Sequence, residues 1–557
     1  MTKTRNRWLG LVFISMAISL VIIDGTIVNT IFPAIIKDLA LTSTEILWVQ
    51  ESYVLVFAST LLVWGSIADR IGIRRVLVIG LTIFILASVW AGITDSAESM
   101  IIARVVQGIG GAMVLPTTLS LVNANFQGKE RGIAFAVWGA TIGGMVAVGP
   151  VLGGWLTTVD WRFEIGAVLV ETWRWAFAIN LPLGILVIAG LLYFVGESKQ
   201  AQRAGGIDFV GAILSVFMFG TLVFALIEGR VYGWWEQTDK VFSIGNFTWP
   251  ENTFSVIPVV LAISVVFFVL FVLWERSREK ANKNVLLDLR LFNVASFRNG
   301  SIAALIISMG EFGLLFAIPL WLQNVDGLNA LSSGLVLLWL AGGAFLASAV
   351  GGAMSGKISA VTAVRIGVAL ELVGIAGIAM AASAMDGWQG IAGYLFIYGL
   401  GVGLATAQLT GVIMVDVPMD KIGQASGSQS TVRQIGSALG IAVLGTVLFS
   451  STQVATANNV SELSAFQGVP AAQVELASQN IADSVVESAG AIIPVLSEIY
   501  IAQGMPENIA TDFKMAAENG FTEGVKTTGW VAAAFLAVGL LSTFNLGSRS
   551  KTPAKKK

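Results

Sequence analysis

Apolar stretches long enough to cross a bilayer recur from Trp8 to Leu546, and only one long polar segment interrupts them. A helical span needs about 20 apolar residues. On that measure the windows place helices near 8–36, 46–66, 75–94, 99–122, 132–158, 173–195, 207–228, 254–275, 298–323, 331–355, 363–384, 389–415, 425–450 and 526–546. The pattern predicts an all-α membrane protein with fourteen transmembrane helices. GSIADR at 65–70 follows the second window, and GAMSGK at 352–357 follows the tenth in the same way. Such spacing fits two parallel six-helix halves, a plan that builds many secondary transporters. Residues 1–200 form the expected N-terminal bundle, 201–285 two linker helices, and 286–557 the C-terminal bundle with a long loop at 451–525.

Composition agrees. Of 557 residues, 55% are hydrophobic and 12% charged, against about 25% charged in a typical soluble protein. Basic residues concentrate on one side of the expected topology: the termini and even-numbered loops hold 24 of the 33. Cytoplasmic loops carry such an excess, so both termini are expected inside a bacterial cell (inner) membrane. MTKTRNRW runs into the first apolar window with no small-residue cleavage site, which predicts an uncleaved span. The loop 451–525 is placed outside by its acidic balance, with Lys514 its single basic residue. Stretches such as VPAAQVELASQNIADSVVESAG read as amphipathic helix. A loop of this length is either functional or a simple insertion, and a periplasmic adaptor is one partner it could meet in a cell with an outer membrane.

The chain has no histidine and no cysteine. That removes disulfides, thiolate chemistry and the side chain that most often shuttles protons near neutral pH, and it leaves no expected metal or cofactor. No P-loop is present to drive an ATP pump, and nothing points to nucleic acid. Proton chemistry would fall to carboxylates. An acid within a spanning helix costs about 2.5–3.5 kcal/mol on insertion scales and should face a cavity or a partner. Asp24 lies roughly 24 Å beyond Trp8 and Glu311 roughly 20 Å beyond Arg298, at 1.5 Å per residue. Glu371 is also central, whereas Glu51 and Asp416 are read as interfacial. Burial favours a neutral acid and a nearby cation such as Arg104 favours its anion. A change in their distance could therefore load and release a proton, although a fixed ion pair would order helix packing just as well. Trp48, Tyr53 and Phe57, with Phe312, Phe316 and Trp321, read first as belt or packing residues; the alternative is substrate contact, where a cation over a ring gains about 0.5–2 kcal/mol.

Several stretches together resemble the fourteen-helix drug:proton antiporter branch of the major facilitator superfamily. GSIADRIGIRR at 65–75, with Asp69, Arg70, Arg74 and Arg75, resembles the cytoplasmic gate motif, though Ile73 stands where many relatives carry a basic residue. IDGTIVNTIFP at 23–33 resembles the first-helix motif. IIARVVQGIGGAM at 101–113 resembles the fourth-helix motif with its arginine, Arg104. GPVLGG at 149–154 resembles the fifth-helix antiporter motif, in which Gly149, Pro150, Gly153 and Gly154 would let a kinked helix rock against a neighbour. WRWAFAINLPLG at 173–184 and ASGSQSTVRQIGSALG at 425–440 are similar to further stretches of the branch. The resemblance implies proton-driven export of amphipathic, cationic compounds. Asp24 and Glu311 would carry proton coupling, the loop with Arg104 and GPVLGG would gate, and Glu311, Glu371, Glu51 and the aromatics would meet substrate. A lipid or metabolite exporter of the same fold, and a receptor or scaffold that does not transport, are the alternatives.

Overall fold

The computed structural model describes residues 7–126, 128–158, 163–165, 168–197, 208–244, 247–250, 253–281, 283, 285–353, 358–417 and 422–546. The first part of the chain forms α1 (Arg7–Leu39), α2 (Ser43–Ile71), α3 (Ile73–Ile93), α4 (Ala97–Asn125), α5 (Gly128–Thr158), α6 (Trp175–Ala178) and α7 (Asn180–Phe194). Then come α8 (Phe209–Tyr232) and α9 (Ile257–Lys280). The rest comprises α10 (Ala295–Asn324), α11 (Ala330–Ala353), α12 (Ala360–Ala381), α13 (Trp388–Met414), α14 (Ile422–Ser461), α15 (Ala471–Glu487), α16 (Leu496–Ala502) and α17 (Glu507–Thr543). Two short hairpins, β1 (Phe163–Ile165) with β2 (Val168–Val170) and β3 (Ser243–Ile244) with β4 (Phe247–Thr248), lie in connections.

Local chemistry sets the boundaries. Thr42 and Glu45 form a reciprocal capping box that starts α2, and Ser96, Asp208 and Ser359 cap α4, α8 and α12 through their side chains. Gly72, at φ +119°, separates α2 from α3 in a conformation that a side chain would strain. Among the described residues twelve helical segments are long and apolar enough to cross a membrane, α6 and α7 counting as one. α2 and α5, at 29 and 31 residues, are equally long, and with them the long segments number fourteen.

α1 packs against α4, α5 and α7, α2 against α4, and α3 against α4 and α7; in the second set α10 packs against α13, α14 and α17, and α12 against α13 and α17. α8 and α9 pair with each other and present Phe217, Val265, Val266, Phe268 and Leu273 outward, the apolar exterior expected of helices in lipid.

The segment 451–525 differs from the loop expected there. α14 continues to Ser461 and α17 already begins at Glu507, so the two helices project together beyond the apolar zone. Gly520 abuts Thr456 and Gly524 abuts Thr452, and these small contacts let polar helices stay paired where hydropathy no longer marks them. The expected amphipathic element is present as α15, which buries Ile481, Ala482, Val485 and Val486 at helical spacing. Phe466, Tyr500 and Phe513 form an aromatic cluster beside it. We call this end of the molecule the capped end. Asn324 at the end of α10 donates to the Ala489 carbonyl at 3.2 Å, and Trp321 donates to Thr522 at 3.0 Å, so the cap sits directly on the helix bundle.

Candidate functional site

The first polar centre lies between α1 and α4. Arg104 Nη1 donates to Asp24 Oδ2 at 2.6 Å and to Gln107 Oε1 at 2.6 Å, and Gln107 Nε2 donates to Asp24 Oδ1 at 2.7 Å. Asn180 of α7 donates to the same Asp24 oxygen at 3.2 Å and to Ser88 of α3 at 2.8 Å. Arg104 Nε reaches the Val49 carbonyl at 3.2 Å, and its guanidinium lies 4.2 Å from the centre of the Tyr53 ring. Asp24, Arg104 and Gln107 are fully buried. A pair removed from water repays its desolvation only when the remaining hydrogen bonds are also made; here five helices supply all of them except that of Arg104 Nη2, which is buried without a hydrogen-bond partner beside the Tyr53 ring. Gln107 and Asn180 were not singled out from sequence, though both fall inside the quoted motifs; Gln107 stands one turn after Arg104, on the same helical face.

The second centre lies in the other helix set. Glu311 on α10 faces Arg433 of α14 at 3.8 Å, and one of its oxygens has no hydrogen-bond partner. Tyr398 donates to the backbone carbonyl of Glu311 at 3.0 Å. Glu371 of α12 is fully buried with both carboxylate oxygens unpartnered. The sequence held Arg433 only within the quoted stretch 425–440, and Tyr398 lay in no quoted motif. The guanidinium meets the acid because Gly436 and Gly440 press α14 onto the backbone of α10 around Leu305 and Met309.

The two sets meet along a seam at the capped end. Gly154 of α5 lies against the backbone of Ala330 and Leu331 at the start of α11, and Gly334 of α11 lies against the Pro150 carbonyl. Gly149 abuts Thr26 of α1 and Gly153 abuts Ile27, so GPVLGG touches α1 and α11 at once. Phe32 and Phe316 bring α1 to α10 at 5.7 Å between ring centres, and Gln323 donates to the Thr30 carbonyl at 2.8 Å. Phe316 also meets Phe449 of α14 at 6.3 Å. α8 bridges the same seam. Glu228 accepts from Trp48 at 2.9 Å, Arg230 donates to Ser43 at 2.6 Å, and the Leu226 carbonyl accepts from Thr446 of α14 at 2.9 Å. Glu228 and Arg230 escaped the sequence reading because the seventh window was drawn to close at residue 228. Gly154→Leu is expected to wedge α5 from α11 at a cost of about 1–3 kcal/mol. Thermal unfolding and maleimide labelling of Ser333→Cys, a position now wholly buried, measure the opening.

At the other end, Glu197 occupies the turn at Gly72. It accepts from the Arg74 backbone N–H at 3.1 Å and lies 3.8 Å from the Arg74 and Arg75 side chains, an anion at the start of α3 as the helix dipole favours. Arg74 also donates to the Val195 carbonyl at 2.8 Å. Asp69 and Arg70 fall in the last turn of α2, with side chains outside the described residues; residues 354–357 of the matching GAMSGK stretch lie outside them as well.

Glu51 is placed differently from the interfacial reading. It is fully buried and neither of its oxygens has a hydrogen-bond partner, because α4, α8 and α14 pack around α2 where chain distance had put the residue near the water. Asp416 is exposed. Tyr53 and Phe57 pack together and against Gly111 of α4, Trp48 is tied to α8, and Phe312 is half-buried beside the core.

A buried ion pair lies in one helix set, two buried glutamates and an arginine lie in the other, and a tight seam joins the sets. The chain belongs to the major facilitator superfamily, whose profile matches residues 14–210 and again 200–441. It is 30% identical to the multidrug resistance protein Stp of Mycobacterium tuberculosis over 97% of this chain and 91% of that one. It is 28% identical to a probable actinorhodin transporter of Streptomyces coelicolor (97% and 92% covered) and 28% identical to the multidrug efflux pump LfrA of Mycolicibacterium smegmatis (96% and 95%). A solved bacterial homologue of the human lysosomal transporter Spinster shares the fold, with a TM-score of 0.58 at 16% identity over 98% of this chain and 99% of that one.

Proposed function

We propose that this protein is a proton-coupled efflux antiporter for amphipathic, cationic compounds, working by alternating access. The observation that carries the reading is the division of buried acids between the two helix sets, with Asp24 held by Arg104 in one and Glu311 facing Arg433 in the other. The drug-resistance and efflux names of its relatives support export. Asp24 and Glu311 exchange protons, Glu311 and Glu371 compete between proton and cationic substrate, and the Gly72 turn and the GPVLGG seam gate opposite ends. Residues 1–200 and 286–557 act as the two moving bundles and 201–285 as their linker. Membrane lipid surrounds α8 and α9.

In this reading the termini are cytoplasmic and the capped end faces outward. A membrane-impermeant maleimide applied to intact cells should label Leu476→Cys, 61% exposed on α15, in a protein that has no other cysteine. Labelling only after permeabilisation would reverse the orientation. Function is tested by uptake into inverted vesicles with an imposed pH gradient, across cationic, neutral and lipid-like compounds. Uptake that ignores the gradient would sink proton coupling.

A further inference from the structure

Glu51 is the buried acid for which proton exchange at Asp24 and Glu311 has no use. Four residues before it on α2, Leu47 touches Gly445 of α14, and three residues after it Val54 shares an apolar cluster with Ala438 of α14. Positions 47, 51 and 54 follow one helical face, so Glu51 stands in the seam where α2 meets α14. Both helices belong to the interface that must part if the capped end opens.

Among the described residues, no charged group on the helices packed against α2 pairs with it. Arg104 on α4 is paired with Asp24 and bonded to Gln107 and the Val49 carbonyl; its Nη2 has no hydrogen-bond partner and does not reach Glu51, whose two oxygens are unpartnered as well. On α8, Glu228 holds Trp48 and Arg230 holds Ser43. Arg433 of α14 faces Glu311. On α15, Glu475 is bonded to Gln479, Asp483 to Gln453, and Glu487 pairs with Lys240. Asp24 and Asp38 of α1 have Arg104 and Arg174, and Arg74 and Arg75 of α3 have Glu197. Tyr53, on α2 itself, lies under Arg104.

An ionised carboxylate enclosed with no partner costs several kcal/mol, and the neutral acid costs far less. Parting α2 from α14 would admit water and remove the penalty. We infer that Glu51 is a proton-binding latch: the seam at the capped end closes on the neutral carboxyl, and loss of that proton favours the open seam. By linkage, closure takes up a proton and acid favours closure. The inference rests on the alternating-access reading, but its test reads the seam and not transport.

Spin labels at Lys37→Cys on α1 and Val454→Cys on α14, both exposed at the capped end, report the distance between the helix sets by double electron–electron resonance. From about pH 5 to about pH 9, the ratio of long to short distances should rise with pH, by at most about tenfold per unit for one proton. In Glu51→Gln the short distance should persist throughout, while Asp24→Asn and Glu311→Gln should keep the response. A ratio that ignores pH in the unsubstituted protein, or one that titrates equally in Glu51→Gln, overturns the latch. A response lost only with Asp24→Asn or Glu311→Gln would overturn it too, and would assign the pH dependence to the transport acids. If Glu51→Gln folds poorly, Glu51→Leu makes the same prediction, since an apolar side chain of similar size also suits the closed seam.

Discussion

Arg104→Ala is expected to unfold the protein more readily, by about 3–5 kcal/mol, and to abolish exchange. Truncation leaves the Asp24 carboxylate enclosed without its cation, the costly way of breaking a buried pair. It also removes the donors to Gln107 and to the Val49 carbonyl, which tie α4 to itself and to α2. Asp24→Asn should cost less in stability, because the amide keeps one oxygen to accept from Arg104, although its NH2 then stands where Gln107 and Asn180 donate. It should nonetheless eliminate substrate-induced pH change in proteoliposomes if Asp24 carries the proton. The double variant Asp24→Asn with Arg104→Ala separates the two roles, recovering part of the stability lost in Arg104→Ala without recovering coupling. Thermal unfolding in detergent and proton flux, measured on all three, decide between them. Normal proton flux in Asp24→Asn would reduce the centre to a structural pair.

Glu311→Gln should separate substrates by charge. Glu311 meets Arg433 only at 3.8 Å and leaves one oxygen unpartnered, so the carboxylate is less committed than Asp24 and is available to a proton or to a cation. Cationic compounds should lose transport by about ten- to a hundredfold, the range of a charge-assisted hydrogen bond worth roughly 1.5–3 kcal/mol, while neutral ones lose little. Transport rates for matched cationic and neutral compounds in inverted vesicles provide the measurement. Equal losses for both would point to a packing role through Tyr398, which anchors on the backbone of the same residue.

Much of the architecture was legible because lipid imposes a length. A spanning helix must be apolar over about 20 residues, so windows in hydropathy mark helices even where propensity is weak. The motifs were legible residue by residue: Asp24, Arg104 and the GPVLGG glycines fall in the buried pair and the seam. Hydropathy loses its meaning where α14 and α17 leave the apolar zone. The expected ends at 450 and 526 therefore gave way to Ser461 and Glu507, where glycine–threonine contacts hold polar helices together.

By itself, then, the sequence determined the membrane class, the approximate spans and which acids and arginines lie within them, since each follows from local composition against a fixed bilayer thickness. Only the tertiary structure decided which groups are partners. Asp24 and Arg104 are 80 residues apart and Arg104 and Gln107 only three, yet all three form one buried centre that Asn180 completes from a third helix. Distance along a helix likewise put Glu51 near the water, whereas packing of α14 against α2 encloses it with no partner. Burial and pairing depend on which helix faces come together, and those faces are set by close contacts between helices far apart in the chain.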